Sequence, residues 1–187
     1  MFDSLIERIA LTLDNADLPY MIIGGQAVLL HGEPRLTRDI DITVAADLDG
    51  LTAVVKAAQL AQLDLLVDPD DFTRRTMVLP CRDPDTGIRV DFILSFSPYE
   101  RDAIGRAVLV PLGEASVRFA TADDLVIHKI LAGRARDLDD ARAILLKNPN
   151  IDVAEVRRVL QDFQEGLERG TELTDRFDAI WDDVKPG

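Results

Sequence analysis

Three aspartates stand where strand-like sequence would otherwise place apolar side chains. Asp39 and Asp41 flank Ile40 in the stretch DIDITV, and Asp91 interrupts the stretch IRVDFIL. Because side chains alternate along a strand, the first two acids share one face, with their Cα atoms ~6.6–7 Å apart. Carboxylates in a half-buried strand lose hydration and repel one another, so a positive partner is expected. Two acids on one strand and one on another predict a cradle for two Mg²⁺ ions, as used in phosphoryl chemistry.

Each acid also has an explanation that needs no ligand. The paired acids could lie on a solvent-facing strand edge, neutralised by the neighbouring Arg35 or Arg38. The third acid, Asp91, could form a salt bridge with Arg89 or Arg74. A buried carboxylate without any partner is costly, so either a cation or an arginine must be near it.

A pair of glycines, Gly24 and Gly25, follows the apolar stretch YMII. Without β-carbons, the backbone at this point lets a phosphate group approach N–H groups at a helix N-terminus. A tight turn between a strand and a helix is the structural alternative. Gln26, the next residue, could donate a hydrogen bond to such a phosphate or could face solvent.

Hydrophobic periodicity predicts an α/β region followed by helices, and the change falls near Ala120. Turn residues between consecutive strand candidates, DPDTG in one case and GE in the other, predict two hairpins. We therefore predict a mixed sheet flanked by helices over residues 1–120, and a helical bundle packed on it over residues 121–187. The predicted strands are 20–24, 39–44, 63–67, 75–81, 88–94, 107–112 and 115–120, and the predicted helices are 3–15, 25–31, 47–60, 121–133, 137–148, 152–167 and 174–184.

The ends of some helices carry capping residues. Asp49 is a candidate N-cap for the helix in residues 47–60. Thr121, with Asp124 three residues later, resembles a capping box at the start of the helical region. Gly32 is a candidate C-cap for the short helix after the glycine pair.

Composition limits the classes of function. The chain has 187 residues, of which 47% are hydrophobic, and a formal net charge of -13. This charge argues against a broad basic face for nucleic acid, although a small basic site for nucleotide phosphates stays open. A single cysteine, Cys81, an acidic N-terminal stretch unlike a signal peptide and the lack of a membrane-length apolar run predict a cytoplasmic protein.

The spacing of these motifs resembles a known superfamily. The glycine pair, thirteen residues, the motif Asp39-Ile40-Asp41 and a later Asp91 are similar to the nucleotidyltransferases with the DNA-polymerase-beta-like fold. The tract RLTRDID, which contains Arg35 and Thr37, narrows the resemblance to minimal bacterial members that include the AbiEii-type toxins. The resemblance covers about residues 20–145.

A second motif lies in the helical region, in the tract HKILAGRARDLDDARAIL. It resembles the pattern Lys-x-x-Ala-x-Arg-x-Lys-Asp-x-x-Asp of the same group. Arg136 stands where the pattern has its second lysine, which keeps the charge, and Gly133 lies between the alanine and the first arginine. The matching residues are Lys129, Ala132, Arg134, Arg136, Asp137 and Asp140.

The resemblance implies a role for each matching residue. Asp39, Asp41 and Asp91 would hold Mg²⁺ or Mn²⁺, and Asp91 would also help to deprotonate the acceptor hydroxyl. Lys129 would steady the triphosphate. The implied nucleotide-binding residues are Gly24, Gly25, Arg35, Thr37, Lys129, Arg136 and Asp140. From the residues alone, Lys129 could instead be a surface lysine. Arg134 and Arg136 could be phosphate clamps or could pair with Asp137 and Asp140, and for Arg134 the pairing is favoured.

The resemblance implies that the chain moves a nucleoside monophosphate from an NTP to a hydroxyl acceptor. The acceptor could be a tRNA, a protein or a small molecule, and a toxin role would add a cognate antitoxin as partner. A different class of function is a binding or regulatory partner on the same scaffold, without turnover. A third is an acidic helical scaffold protein, which would leave the glycine pair and Asp91 unexplained.

Overall fold

The computed structural model describes residues 2–95, 97–167 and 170–185. Alternating apolar residues in this part of the chain form a mixed β-sheet. Within these residues the sheet has seven strands: β1 (Tyr20–Ile23), β2 (Asp39–Val44), β3 (Asp64–Leu65), β4 (Val78–Arg82), β5 (Arg89–Leu94), β6 (Val108–Leu112) and β7 (Ala115–Phe119). Their order across the sheet is β3-β4-β5-β2-β1-β7-β6. β2 is parallel to β5 and β1 is parallel to β7, whereas the remaining neighbours are antiparallel.

Helices precede, interrupt and follow the strands. They are α1 (Phe2–Asn15), α2 (Gly24–His31), α3 (Leu51–Leu60), α4 (Arg74–Thr76), α5 (Pro98–Gly105), α6 (Ala122–Ala132), α7 (Ala135–Lys147), α8 (Val153–Gly166) and α9 (Glu172–Val184), with a π-helical turn at Pro69–Thr73. This mixed sheet with helices and a helical C-terminal part confirms the predicted fold class. None of the described helices is long and apolar enough to cross a membrane.

Contacts divide the chain into two compact units. The first contains Met1–Gln26 and Leu36–Ala120, and the second contains Ala27–Arg35 and Thr121–Gly187. All of the strands belong to the first unit, and α6 to α9 belong to the second. The packing of a 121–187 domain on a 1–120 domain stays a prediction.

The two faces of the sheet differ in polarity. Ile40, Ile42 and Val44 of β2 are fully buried on one face, as alternation requires. On the other face, Met21 and Ile23 of β1 pack in an apolar cluster with residues of α5. That second face also carries the aspartates of β2 and β5, so it is the face on which the site must be built.

Local signals predicted the hairpins correctly. β4 and β5 pair antiparallel across the DPDTG turn, and β6 and β7 pair antiparallel across Gly113 and Glu114. Thr121 is confirmed as the N-cap of α6, because its Oγ accepts the Asp124 N–H at 3.1 Å. Short-range hydrogen bonds of this kind depend on few residues, which makes them readable from sequence.

Several predicted boundaries and one cap were wrong. The N-cap of α3 is Gly50 rather than Asp49, and the Asp47 carboxylate accepts the Asp49 and Gly50 N–H groups instead. β4 begins at Val78, because the chain before it is helical and Met77 turns it with a φ of 60°. Helix α5 was not predicted from the sequence.

A capping box starts that missed helix. The Ser97 hydroxyl accepts the Glu100 N–H, and the Glu100 carboxylate accepts the Ser97 N–H. Pro98 takes the first helical position, where no donor is needed.

In the second unit, buried apolar faces hold the helices together. Leu173, Phe177 and Ile180 of α9 are buried, and α9 contacts both α7 and α8. The segment Ala27–Arg35 joins this unit at the C-terminal end of α7, where the side chain of the C-cap Asn148 donates to the His31 carbonyl at 2.8 Å.

Candidate functional site

The parallel pairing of β2 and β5 brings the three aspartates onto one face of the sheet. In its register Asp41 is the Cα partner of Asp91, and Asp39 is the partner of Arg89. Adjacent strands lie about 4.8 Å apart, so the acids of the two strands are close neighbours. Asp39, Asp41 and Asp91 are all half-buried. The predicted alternation, with acids on one face and Ile40 on the other, is confirmed.

Gly24 occupies a position that no other residue could take without displacing Asp41. Its φ of 62° lies in the left-handed region, and a β-carbon added there would lie 1.9 Å from Asp41 Oδ2. Strand β1 therefore ends at Ile23, and α2 begins at Gly24 beside that carboxylate. A carboxylate next to a helix N-terminus is favoured by the helix dipole. Glycine is thus required at this position for a steric reason that its sequence neighbours do not reveal.

Thr37 hydrogen-bonds to the first acid of the pair. Its Oγ1 lies 3.0 Å from Asp39 Oδ1 and donates to it, and the residue is 8% exposed. The bond fixes the orientation of one Asp39 oxygen. A nucleotide-binding role for Thr37 stays a prediction.

Arg89 is the partner of Asp91. Its Nε donates to both carboxylate oxygens of Asp91, at 2.9 and 3.0 Å. This hydrogen bond, and then the negative charges of Asp91, Asp39 and Asp41, raise the pKa of the Arg89 guanidinium above its ordinary value. Arg74, the other partner considered, pairs with Asp70 instead. Of the two salt bridges predicted for Asp91, the one with Arg89 is therefore confirmed.

The donor set at this site suits a hard divalent cation, because carboxylate oxygens are the ligands that Mg²⁺ prefers. Among the described residues, no three His, Cys, Asp or Glu side chains are arranged as a metal-binding group. One reason is visible in the contacts, since Asp91 faces Arg89 and Asp39 faces Thr37. The shared face of the three carboxylates, and the space that Gly24 leaves for Asp41, suit such a cation.

Gln26 is buried rather than solvated, so the solvent-facing alternative was wrong. It is 7% exposed and lies in the first turn of α2. Within the described part of the chain its Nε2 atom has no hydrogen-bond partner. A buried amide donor without a partner is uncommon in native proteins, so this atom is a candidate ligand contact.

Lys129 lies in the second unit, at the centre of a buried charge cluster. It is 5% exposed, and its Nζ lies 3.0 Å from Asp137 Oδ1 and 2.8 Å from Asp140 Oδ2. The surface-lysine alternative was therefore wrong. Burial favours a higher pKa for Asp137, but hydrogen bonds from Arg134 and Lys129 outweigh it, and the pKa is lowered overall.

Two arginines complete this cluster. Arg35 donates to both oxygens of Asp140, through Nε at 2.8 Å and Nη2 at 2.9 Å. Arg134 Nε donates to Asp137 at 2.6 Å, which confirms the pairing favoured for it. Arg35 is thus engaged by Asp140, and the idea that it neutralises Asp39 and Asp41 was wrong. Three cationic side chains thus face two carboxylates in the cluster.

The remaining predicted residue, Arg136, is exposed on the first turn of α7. The structure thus brings Gly24, Asp39, Asp41 and Asp91 together in the first unit. It brings Arg35, Lys129 and Asp140 together in the second.

A comparison with protein families gives a match that covers most of the chain. The model of the family described as nucleotidyl transferase AbiEii toxin, type IV toxin–antitoxin system, matches residues 11–183. This confirms the resemblance predicted from the motifs. No curated protein matches the chain.

Solved structures share the fold at low sequence identity. The solution structure of the antibiotic-resistance factor ANT(2'')-Ia has a TM-score of 0.62 and 14% identity, and the alignment covers 89% of this chain and 95% of that one. The crystal structure of ANT(2'')-Ia with adenylyl-2''-tobramycin has a TM-score of 0.60 and 16% identity, with coverages of 88% and 98%. An antigenic nucleotidyltransferase-like protein from Paracoccidioides brasiliensis has a TM-score of 0.54 and 19% identity, with coverages of 92% and 91%.

Proposed function

The chain belongs to the AbiEii nucleotidyltransferase toxin family, and from that premise we propose that it transfers a nucleoside monophosphate from an NTP to a hydroxyl acceptor with Mg²⁺ as cofactor. The observation that carries this proposal is the register of β2 and β5. It aligns Asp41 with Asp91 on the face where Gly24 leaves room for the Asp41 carboxylate. A metal-assisted reaction needs such a convergence of hard oxygen ligands.

The reaction joins the acceptor oxygen to the α-phosphorus of the NTP and breaks the bond from that phosphorus to the bridging oxygen, so that pyrophosphate leaves. Asp39, Asp41 and Asp91 would hold the divalent cation, with Mn²⁺ as a possible substitute for Mg²⁺. When bound, the cation polarises the phosphate and neutralises charge on the attacking and leaving oxygens. Asp91 Oδ would accept the proton of the acceptor hydroxyl, which makes that oxygen a better nucleophile.

The start of α2 would hold the phosphates. Backbone N–H groups at a helix N-terminus bind anions, and Gly24 and Gly25 let an anion come close to them. The buried Nε2 atom of Gln26 in the same turn could add a donor. Thr37 would act by holding Asp39 in orientation.

The charged cluster in the second unit would contribute to triphosphate binding, as its motif implies. Lys129 and Arg136 carry the positive charge for this role, while Arg35 and Asp140 would fix the position of Lys129. The positive side chains of the cluster support the assignment, since a triphosphate is an anion. Two carboxylates hold the Lys129 ammonium in place. We therefore assign Lys129 the role of a fixed positive charge, rather than that of a side chain that moves to contact the triphosphate.

The acceptor is a tRNA, a protein or a small molecule, and a toxin role would add a cognate antitoxin as partner. The test incubates the full chain with each of four labelled NTPs, with Mg²⁺ or Mn²⁺, and with total tRNA, cell-extract protein or aminoglycosides. We expect label on one class of acceptor with the wild type and none with Asp41→Asn. Absence of transfer to every class under all conditions would contradict the proposal.

A non-catalytic partner on the same scaffold is the second candidate. The Arg89–Asp91 salt bridge favours it, because it satisfies Asp91 without any metal. This candidate predicts no divalent-cation binding at the aspartates, so a Mn²⁺ titration of wild type and Asp41→Asn separates the two functions.

A further inference from the structure

Arg89 lies on the site face, among the carboxylates. It is the Cα partner of Asp39 across the β2–β5 pair, and it precedes Asp91 by two residues along β5. Alternation therefore places its side chain on the same face as all three acids. An arginine guanidinium is always protonated in proteins, so Arg89 brings a positive charge to the three carboxylates.

The contact with Asp91 uses only a part of the arginine. Nε makes the bonds to both Asp91 oxygens. The two terminal amino groups donate to no side chain in the described residues. An arginine carries five N–H donors, and its planar terminal fork matches the oxygens of a phosphate. Arg89 can therefore bind an anion through atoms that the salt bridge leaves unused.

The two partners of this salt bridge differ in exposure. The Arg89 side chain is 53% exposed, whereas the Asp91 side chain is 16% exposed. A solvent-exposed ion pair contributes little stability and is readily broken. The arginine can thus swing into solvent while Asp91 keeps its place on the sheet.

We propose that Arg89 is an internal counter-ion, which neutralises the three aspartates before metal binds and then moves its guanidinium to the nucleotide phosphates when a divalent cation takes over the carboxylates. The inference rests on the proposed metal-dependent transfer. Arg89 and the cation compete for Asp91, since both satisfy the same two oxygens. The Arg89 guanidinium, displaced from the carboxylates by the cation, then neutralises part of the negative charge of the triphosphate.

The first experiment measures Mn²⁺ binding to the full chain without nucleotide, by the electron paramagnetic resonance signal of free Mn²⁺. Arg89→Ala removes the competitor, so we expect Mn²⁺ affinity to rise roughly fivefold, the factor that corresponds to an exposed ion pair. Arg75→Ala is the remote control, because Arg75 is an exposed arginine paired with Asp71 in the same unit. Arg38→Ala is the local control, because it removes an exposed positive charge next to Asp39. Both controls are expected to change the affinity less than twofold.

The second experiment measures the affinity for inorganic triphosphate at saturating Mn²⁺, which needs no knowledge of the base. Here Arg89→Ala is expected to bind more weakly, by tenfold or so, because a charge-assisted phosphate contact is lost. The opposite signs of the two effects distinguish this role from a structural one. Circular dichroism of each variant checks that it folds.

Each outcome decides the matter. Unchanged or weaker Mn²⁺ binding in Arg89→Ala overturns the counter-ion role, and so does an equal tightening in Arg38→Ala, which would indicate a general charge effect. Tighter Mn²⁺ binding with unchanged triphosphate affinity overturns the move to phosphate. Wild-type protein that binds no Mn²⁺ overturns the proposed function together with this inference, whereas binding that Asp41→Asn abolishes preserves the function whatever Arg89 does.

Discussion

Gly24 and Asp41 approach each other so closely that a β-carbon on the glycine would lie 1.9 Å from Asp41 Oδ2. The contact joins the start of α2 to the acid strand β2 within one unit of the chain. Glycine at position 24 therefore allows the observed position of the Asp41 carboxylate, in addition to any role toward phosphate.

Gly24→Ala is expected to displace the Asp41 carboxylate and to weaken Mn²⁺ binding strongly. It should also lose about 1–2 kcal/mol of unfolding free energy, because alanine is strained at a φ of 62°. Gly87→Ala is the matched control, since Gly87 has a φ of 72° but no atom within 4 Å of its added β-carbon. Mn²⁺ titration and chemical denaturation measure both effects. Equal Mn²⁺ binding in the two variants would show that Asp41 tolerates the clash.

Asp41→Asn is expected to remove transfer activity while the fold stays intact. Asparagine keeps the size of the side chain but deletes the charge that a cation needs. The apo variant should melt at the same or a higher temperature, because repulsion with Asp39 is relieved. A thermal melt and the label-transfer assay measure the two properties. Unfolding of the variant would assign the carboxylate a structural role.

Lys129→Ala is expected to destabilise the protein by about 3–5 kcal/mol, because it leaves Asp137 and Asp140 buried with less compensation. The matched control is Lys185→Ala, whose pair with Asp182 is exposed and which should cost less than about 1 kcal/mol. Urea denaturation gives both values. If Lys129→Ala loses as little unfolding free energy as the control, then Arg35 and Arg134 compensate the two carboxylates without Lys129.

If Lys129→Ala is too unstable to assay, Lys129→Met keeps more of the buried volume. The triphosphate affinity of folded Lys129→Met then shows how much the Lys129 charge contributes to binding. Undiminished affinity would remove Lys129 from the binding site and leave Arg136 as the next candidate.

The lowered pKa of Asp137 predicts an acid-sensitive second unit. A carboxyl group with a depressed pKa stabilises the folded state above its unfolded pKa of about 3.9, and that stability is lost as the pH falls through the folded pKa. The free energy of unfolding should therefore fall between pH 5 and pH 3, and Asp137→Asn should show a smaller fall. Urea denaturation at pH 5 and at pH 3 measures the free energy of unfolding of wild type and variant. An identical fall in wild type and variant would assign the acid sensitivity to other groups.

The sequence by itself determined the features that depend on near neighbours. Alternation placed Asp39 and Asp41 on one face, the turn residues predicted the two hairpins, and the Thr121 hydroxyl marked the start of α6. The motif spacing also identified the family, because a cation site needs its acids at set positions on particular strands. Each of these inferences needs only the geometry of one element or one turn.

Only the tertiary structure decided the choices among distant partners. Asp91 pairs with Arg89 rather than Arg74, and Arg35 binds Asp140, 105 residues away, rather than the acids beside it. Lys129 is buried between two carboxylates, although its sequence neighbours allow an exposed position equally well. An ion pair depends on the distance between charged atoms in space, and that distance is set by strand register and helix packing over the whole unit.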